Sequence, residues 1–311
     1  MDTGLFVSYR DRLLESCGKV ILGKDEVIRR IGVCLLAPGH VLLEDLPGTG
    51  KTMLLRAFAK CIGGEFRRIQ FTPDILPSDL TGIHFYNQKR GEFEFRKGPL
   101  FANVVLADEI NRAVPRSQSA LLEVMEERQI SIDGQTYPLA EPYIVMATQN
   151  PIESYGTFPL PEAQLDRFFM KLSLGYMEPE QEKEVLRRAE TRDIIETLSA
   201  IVTADELAAL RKQSREVTVR DEVTDYIMSV ITATRKDERL ACGVSARGSI
   251  ALYRAAQITA AMDGRDYVLP EDVKDNAVPV LAHRITVASG SHLDAAGLIK
   301  NLLEELPVPV E

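Results

Sequence analysis

The sequence has 311 residues, enough for one large or two ordinary domains. A formal net charge of −9 with 45% apolar residues suits sizeable cores and argues against a general nucleic-acid binder, because such domains are usually basic. Four cysteines without CxxC spacing, four scattered histidines and no run near 18 apolar residues predict neither a zinc site nor a membrane span. The cysteines read as reduced thiols. The N-terminus, with Asp2, Arg10, Asp11 and Arg12, has no apolar h-region, so a cytoplasmic chain is expected.

Residues 5–37 read as helical, with Val27, Ile28, Ile31, Val33, Leu35 and Leu36 apolar, and Pro38-Gly39 ends them. The apolar run Val41-Leu42-Leu43 leads into Glu44-Asp45-Leu46-Pro47-Gly48-Thr49-Gly50-Lys51-Thr52. A helical pattern then runs from Met53 until Gly63-Gly64 stops it. A short strand is predicted at 68–71, turns at Pro73, Pro77 and Gly82, and an alternating segment at 93–96. Val104–Ala107 and Tyr143–Ala147 are continuous apolar runs suited to buried parallel strands. Between them lie a helix near 117–128 and a hairpin over 129–139 around Asp133-Gly134. Strands alternating with helices predict an α/β core with a parallel sheet over 1–176. From Glu178-Pro179 helical patterns dominate. They include a capping box from Thr203 to Glu206, helices at 221–235 and 246–262, and Pro270 in a first turn. A helical second domain is expected over 177–311.

A strand, a Gly-rich turn and a helix form the context of a phosphate-binding loop, in which backbone N–H groups and the helix N-terminus make a positive pocket. Lys51 would reach the β/γ-phosphates of a nucleotide and the Thr52 hydroxyl would hold Mg²⁺. Asp45 stands where the usual pattern has Gly, and Asp tolerates the left-handed backbone such a turn can need. Asp108-Glu109 ends the strand 104–107, with Asp108 suited to Mg²⁺ and Glu109 to orienting the attacking water. An acidic pair after a strand can equally cap the next helix. Asn150 follows the strand 143–147 where ligands bind in open α/β sheets, or is simply a turn Asn before Pro151. Arg167 and Arg247 could each stabilise charge on a transferring phosphoryl group or be ordinary surface salt-bridge residues.

The combined motifs resemble the MoxR type of AAA+ ATPase, within the helix-2-insert group that includes magnesium chelatase subunits and MCM helicases. The resemblance is carried by Arg68–Asp74, Leu76–Gly82, Phe93–Arg96, Gly98–Asn103, Leu106–Ala113, Ala147–Pro151 and Leu160–Phe168. It implies an AAA+ P-loop core, a helix-2 insert at about 72–101, a hairpin before sensor 1 at about 129–139, and an all-α lid. It implies ATP as ligand, held by Gly48, Thr49, Gly50, Lys51, Thr52 and Met53 together with Leu46 and Pro47 of Walker A. Asp108 and Glu109 become Walker B, Asn150 sensor 1, Arg167 the arginine finger and Arg247 sensor 2, acting in cis or in trans. Gly23 falls in the segment near the adenine. The family further implies a homo-oligomeric, hexameric ring, a von Willebrand A-domain partner and chaperone-like remodelling of a protein client. Ser154-Tyr155-Gly156 departs from the more acidic wording usual there. The rival readings are a nucleic-acid motor, which the absence of Lys and Arg from 129–139 disfavours, and a nucleotide-gated scaffold with little turnover.

Overall fold

The computed structural model describes residues 1–45, 48–149, 156–188, 194–288 and 293–309. Two helices, α1 (Thr3–Gly18) and α2 (Asp25–Leu36), lead into β1 (Val41–Glu44) and α3 (Lys51–Cys61). The helical pattern expected over 5–37 is thus split, and the break contains Gly23 with φ of 66°. Next come β2 (Phe66–Gln70), the one-turn α4 (Pro77–Thr81) and the antiparallel pair β3 (Gly82–Asn87) and β4 (Glu92–Lys97). Then follow β5 (Val104–Asp108), α5 (Pro115–Glu127), the hairpin β6 (Gln129–Ile132) and β7 (Gln135–Pro138), and β8 (Ile144–Gln149). The short α6 (Glu162–Leu165) precedes β9 (Met170–Leu172).

β2, β5, β8, β1 and β9 form, in that order, a five-stranded sheet in which every pairing is parallel. Both faces are covered, so alternate residues enter different cores. Val41, Leu43, Val104, Leu106, Ile144 and Met146 join one cluster with α1, α2 and α3. Leu42, Val105, Ala107, Val145 and Ala147 join a second cluster with α4 and α5. Complete burial of side chains of this size contributes roughly 1.5–3 kcal/mol each, which fixes the register that aligns the strand ends.

The remaining chain is mainly helical: α7 (Pro179–Arg188), α8 (Ala204–Gln213), α9 (Asp221–Lys236), α10 (Ala246–Met262), α11 (Pro270–Leu281) and α12 (Ala295–Glu305). A short antiparallel pair, β10 (Leu240–Cys242) with β11 (Thr286–Val287), ties its loops. Thr203 and Glu206 form the reciprocal capping box at α8. Residues of α9, α10 and α11 belong to the same buried cluster as α1 and α2, so apolar packing runs unbroken from the sheet into the helical part.

The two antiparallel hairpins pack on each other. Phe95 of β4 stacks on Tyr137 of β7 with ring centroids 4.6 Å apart, and His84 Nδ1 lies 2.9 Å from Asp133 Oδ2. Phe93 stays 72% exposed beside Tyr86 at their outer end. No helix among the described residues is long and apolar enough to cross a membrane. Cys17, Cys34 and Cys61 are buried free thiols, and Cys242 is exposed.

Candidate active site

In a parallel sheet all strands end on the same side. Here that side gathers Asp45 after β1, Gln70 of β2, Asp108 at the end of β5 with Glu109 after it, and Thr148 of β8. The glycine turn follows β1. Gly48 and Gly50 have φ of 83° and 87°, and a Cβ at either would meet nothing within 4 Å. Glycine is therefore required there by the left-handed backbone and not by crowding, and the space over the turn is open. Gly50 is the N-cap of α3, so Lys51 and Thr52 open the helix, and the Lys51 ammonium donates to the Asp45 carbonyl at 3.1 Å. Met53, in the same first turn, is half exposed. Leu46 and Pro47 lie outside the described residues.

Asp45 does not use the left-handed conformation that its residue type tolerates. Its buried carboxylate instead accepts the N–H groups of Leu174 (2.8 Å) and Gly175 (2.9 Å) and the Ser173 hydroxyl (2.8 Å). The residue in place of the usual glycine is thus a clamp between the turn and the segment leaving β9. That segment continues to Tyr176, whose carbonyl accepts from Lys24 Nζ at 2.7 Å. The neighbouring Gly23 is covered by Gln181 of α7, whose amide nitrogen would sit 1.8 Å from a Cβ there.

Asp108 and Glu109 are held by one hydroxyl. Thr148 Oγ1 donates to Asp108 Oδ1 at 2.6 Å and accepts the Glu109 N–H at 2.8 Å. Thr148 is fully buried, so both its hydrogen-bonding capacities are used in fixing the pair. Glu109 is left-handed, with φ of 57° and ψ of 50°. A non-glycine residue held there costs on the order of 1–3 kcal/mol and persists where its surroundings over-determine it. The Glu109 carboxylate accepts from Gln70 Nε2 at 2.7 Å and pairs with Arg112 at 3.1 Å. Asp108 Oδ2 pairs with Arg68 at 2.6 Å. A threonine hydroxyl and a carboxylate are hard oxygen donors, so the chemistry of Thr52 and Asp108 fits Mg²⁺. Asn150 lies one residue beyond β8 and outside the described residues.

Arg167 and Arg247 lie elsewhere. Arg167 lies three residues before the start of β9, at the opposite end of the sheet from the glycine turn, and the four-residue β1 spans about 13 Å between those ends. Its guanidinium donates to the Leu122 carbonyl at 2.9 Å and pairs with Glu126 at 3.2 Å, both on α5. Arg247, in the first turn of α10, reaches the same Glu126 at 2.5 Å. The two arginines are therefore brought together, away from Lys51. Arg128 and Arg254 line the same cleft of about 350 Å³. Arg284, also in that cleft, is buried. Burial lowers its pKa to about 10 while Asp166, 2.8 Å away, holds the charge in place. Sequence reasoning missed Thr148, Gln70, Arg68, Arg112 and Glu126. All but Glu126 lie within the motif segments that carry the resemblance, where none of them was given a role, and Thr148 directly follows an apolar run.

This arrangement, a parallel sheet with a glycine turn and acidic strand end followed by a helical lid, is that of an AAA-type ATPase. Residues 40–170 match the ATPase family associated with various cellular activities (AAA), and residues 232–300 match the AAA lid domain. Chaperone MoxR1 of Mycobacterium tuberculosis is 42% identical over 311 residues, covering 96% of this chain and 82% of that protein. YeaC of Bacillus subtilis, itself uncharacterised, is 46% identical over 303 residues, covering 96% and 95% of the two chains. A crystal structure of a candidate ATPase from Cytophaga hutchinsonii superposes with a TM-score of 0.91 at 39% identity, covering 99% of this chain and 98% of that one. The chain belongs to the MoxR family of AAA+ ATPases.

Proposed function

We propose that this protein binds and hydrolyses ATP with Mg²⁺, and uses the cycle for chaperone-like remodelling of a protein client. The observation that carries the reading is the Thr148-pinned Asp108–Glu109 pair at the same sheet end as the Gly48–Thr52 turn. In this reading the turn and Lys51 are the Walker A cradle for the phosphates, and Asp108 and Glu109 are Walker B. Thr52 and Asp108 would hold the metal, which supplies charge neutralisation at the β- and γ-oxygens. Glu109 accepts the proton of the attacking water as it swings from Gln70 and Arg112. Asn150 would hold that water, and Gly23 would border the base.

The placement of Arg167 and Arg247 at the far end of the sheet supports a role for both in trans, on the nucleotide of a neighbouring copy. That requires a head-to-tail homo-oligomer, and a hexameric ring is the assembly we propose. The segment at about 72–101, which contains β3 and β4, is read as the helix-2 insert, and about 129–139 as the hairpin before sensor 1. The exposed Phe93 and Tyr86 make their outer end a place for a client. A von Willebrand A-domain partner follows from the family resemblance alone.

Steady-state turnover and equilibrium nucleotide binding test the reading together. Glu109→Gln should bind ATP as wild type does and turn over slowly. Lys51→Ala should lose binding. Wild-type turnover by Glu109→Gln would sink the catalytic assignment. Affinity capture on the ATP-bound Glu109→Gln form should retain a von Willebrand A-domain protein.

A further inference from the structure

Arg167 and Arg247 come from different layers of the molecule and end on one carboxylate. Arg167 Nη1 is 3.2 Å from Glu126 Oε2, and Arg247 Nη2 is 2.5 Å from Glu126 Oε1. A second link lies beneath them. Asp166 Oδ2 accepts the Ser245 hydroxyl at 2.9 Å, and Ser245 is the N-cap of α10, accepting the Gly248 N–H at 3.2 Å. The other Asp166 oxygen accepts from the buried Arg284 at 2.8 Å, and Arg284 also donates to the Phe169 carbonyl at 3.2 Å. The residues flanking each arginine are therefore pinned to one another, core loop to lid helix. The two long side chains extend beyond these anchors; Arg167 also donates to the Leu122 carbonyl at 2.9 Å, and Glu126 joins the ends of both.

We propose that Glu126 is a positioning residue for phosphoryl transfer on a neighbouring copy of this chain. Its carboxylate holds the Arg167 and Arg247 guanidiniums side by side, so that they meet the neighbour's nucleotide as one preset pair. This rests on the trans reading of the two arginines given above. The physical need is plain. Two guanidiniums a few ångströms apart repel, and both side chains are substantially exposed, at 32% and 47%. Without an anion between them only the Leu122 carbonyl holds Arg167, and nothing sets the two guanidiniums side by side. With it, the geometry is set before the neighbour docks, which is where rate is gained in phosphoryl transfer. Glu126 is itself 37% exposed, so its ion pairs contribute little to folding and its removal leaves the fold standing.

The test uses the full chain carrying Glu126→Gln, which keeps the size and loses the charge. Affinity for ATP with Mg²⁺, titrated directly, should stay within about two-fold of wild type, and sedimentation should show the same assembly. The turnover number should fall by about 10–10²-fold while KM barely moves, as expected for a loss of orientation and not of binding. Placed on Arg167→Ala, the same change should cost less than about three-fold more, because its route of action is already gone. Mixed with Lys51→Ala subunits, Glu126→Gln should regain activity, since the partner then supplies an intact Glu126 face. Wild-type turnover in Glu126→Gln overturns the proposal. So does loss of ATP binding or assembly, which would assign Glu126 to the fold. If Arg167→Ala is rescued by Lys51→Ala subunits and Glu126→Gln is not, the positioning role alone is wrong. If neither is rescued, the trans reading has failed and this proposal falls with it.

Discussion

The carboxylate of Asp45 accepts the backbone N–H of Leu174 at 2.8 Å and so binds the first residue of the glycine turn to the chain leaving β9. With Gly175 and Ser173 it satisfies three donors, and Leu174 is buried. Asp45→Ala would strand those donors. A loss of about 2–4 kcal/mol is expected, read as a shift of the urea midpoint at constant slope. Weaker ATP binding should accompany it, since the turn loses its outer anchor. An unchanged midpoint in Asp45→Ala would show that the clamp carries no stability.

The division of the arginines from the glycine turn predicts a shared site. An arginine finger contributes about 10³–10⁵ in turnover, or roughly 4–7 kcal/mol of barrier. Arg167→Ala should lose turnover on that scale and keep ATP binding through Lys51. Turnover per subunit of the wild-type chain should rise steeply with protein concentration. Arg167→Ala mixed with Lys51→Ala should recover part of the activity once sedimentation shows mixed assemblies. Full activity from isolated monomer would refute the trans role.

Acid sensitivity should appear well above the carboxylate range because of His40. Its Nδ1 accepts the Val145 N–H at 2.9 Å, so Nε2 carries the proton and donates to the Met125 carbonyl at 2.9 Å. Burial pushes its pKa down from 6.5 to about 4. The unfolded imidazole takes up a proton below about 6.5 and the folded one does not until about 4, so stability falls as pH drops through that window. Between pH 7 and pH 5 the loss from this residue is about 2 kcal/mol. Buried His283 is depressed in the same direction and adds to the trend. Denaturant titrations of wild type and His40→Gln across that range test it. The variant, though less stable at pH 7, should show a flatter pH dependence, and parallel slopes would rule His40 out.

The stacked Phe95 and Tyr137 should make the two hairpins respond as one. A cycle of Phe95→Ala, Tyr137→Ala and the double variant should show coupling of about 0.5–1.5 kcal/mol. Purely additive losses would mean that the hairpins are independent.

How much of this was readable beforehand follows from where each signal lies. The strands β5 and β8 announced themselves as unbroken apolar runs, because a parallel strand buried on both faces must be apolar throughout. The glycine turn was legible because φ near 85° restricts the residue type. β9 was missed: three residues, one of them Lys171, are too few to carry periodicity, and the strand exists because β1 offers it an edge. The one-turn α4 was hidden among prolines for the same reason. Asp45 was read by its backbone tolerance, whereas its partners, Ser173 to Gly175, lie far along the chain. The meeting of Arg167 and Arg247 on Glu126 had no local trace either, since it depends on α10 docking against the end of α5.

The parallel polarity of the sheet has a further consequence for symmetry. Strands that all point one way put the glycine turn on one rim and Arg167 on the opposite rim, and one subunit cannot fold that length back on itself. The shared site proposed above requires a contact of turn rim against arginine rim. On that proposal a head-to-tail array would complete a site at every junction, whether it closed as a ring or climbed as an open spiral. Turnover should then report how neighbouring subunits are oriented and not merely how many there are.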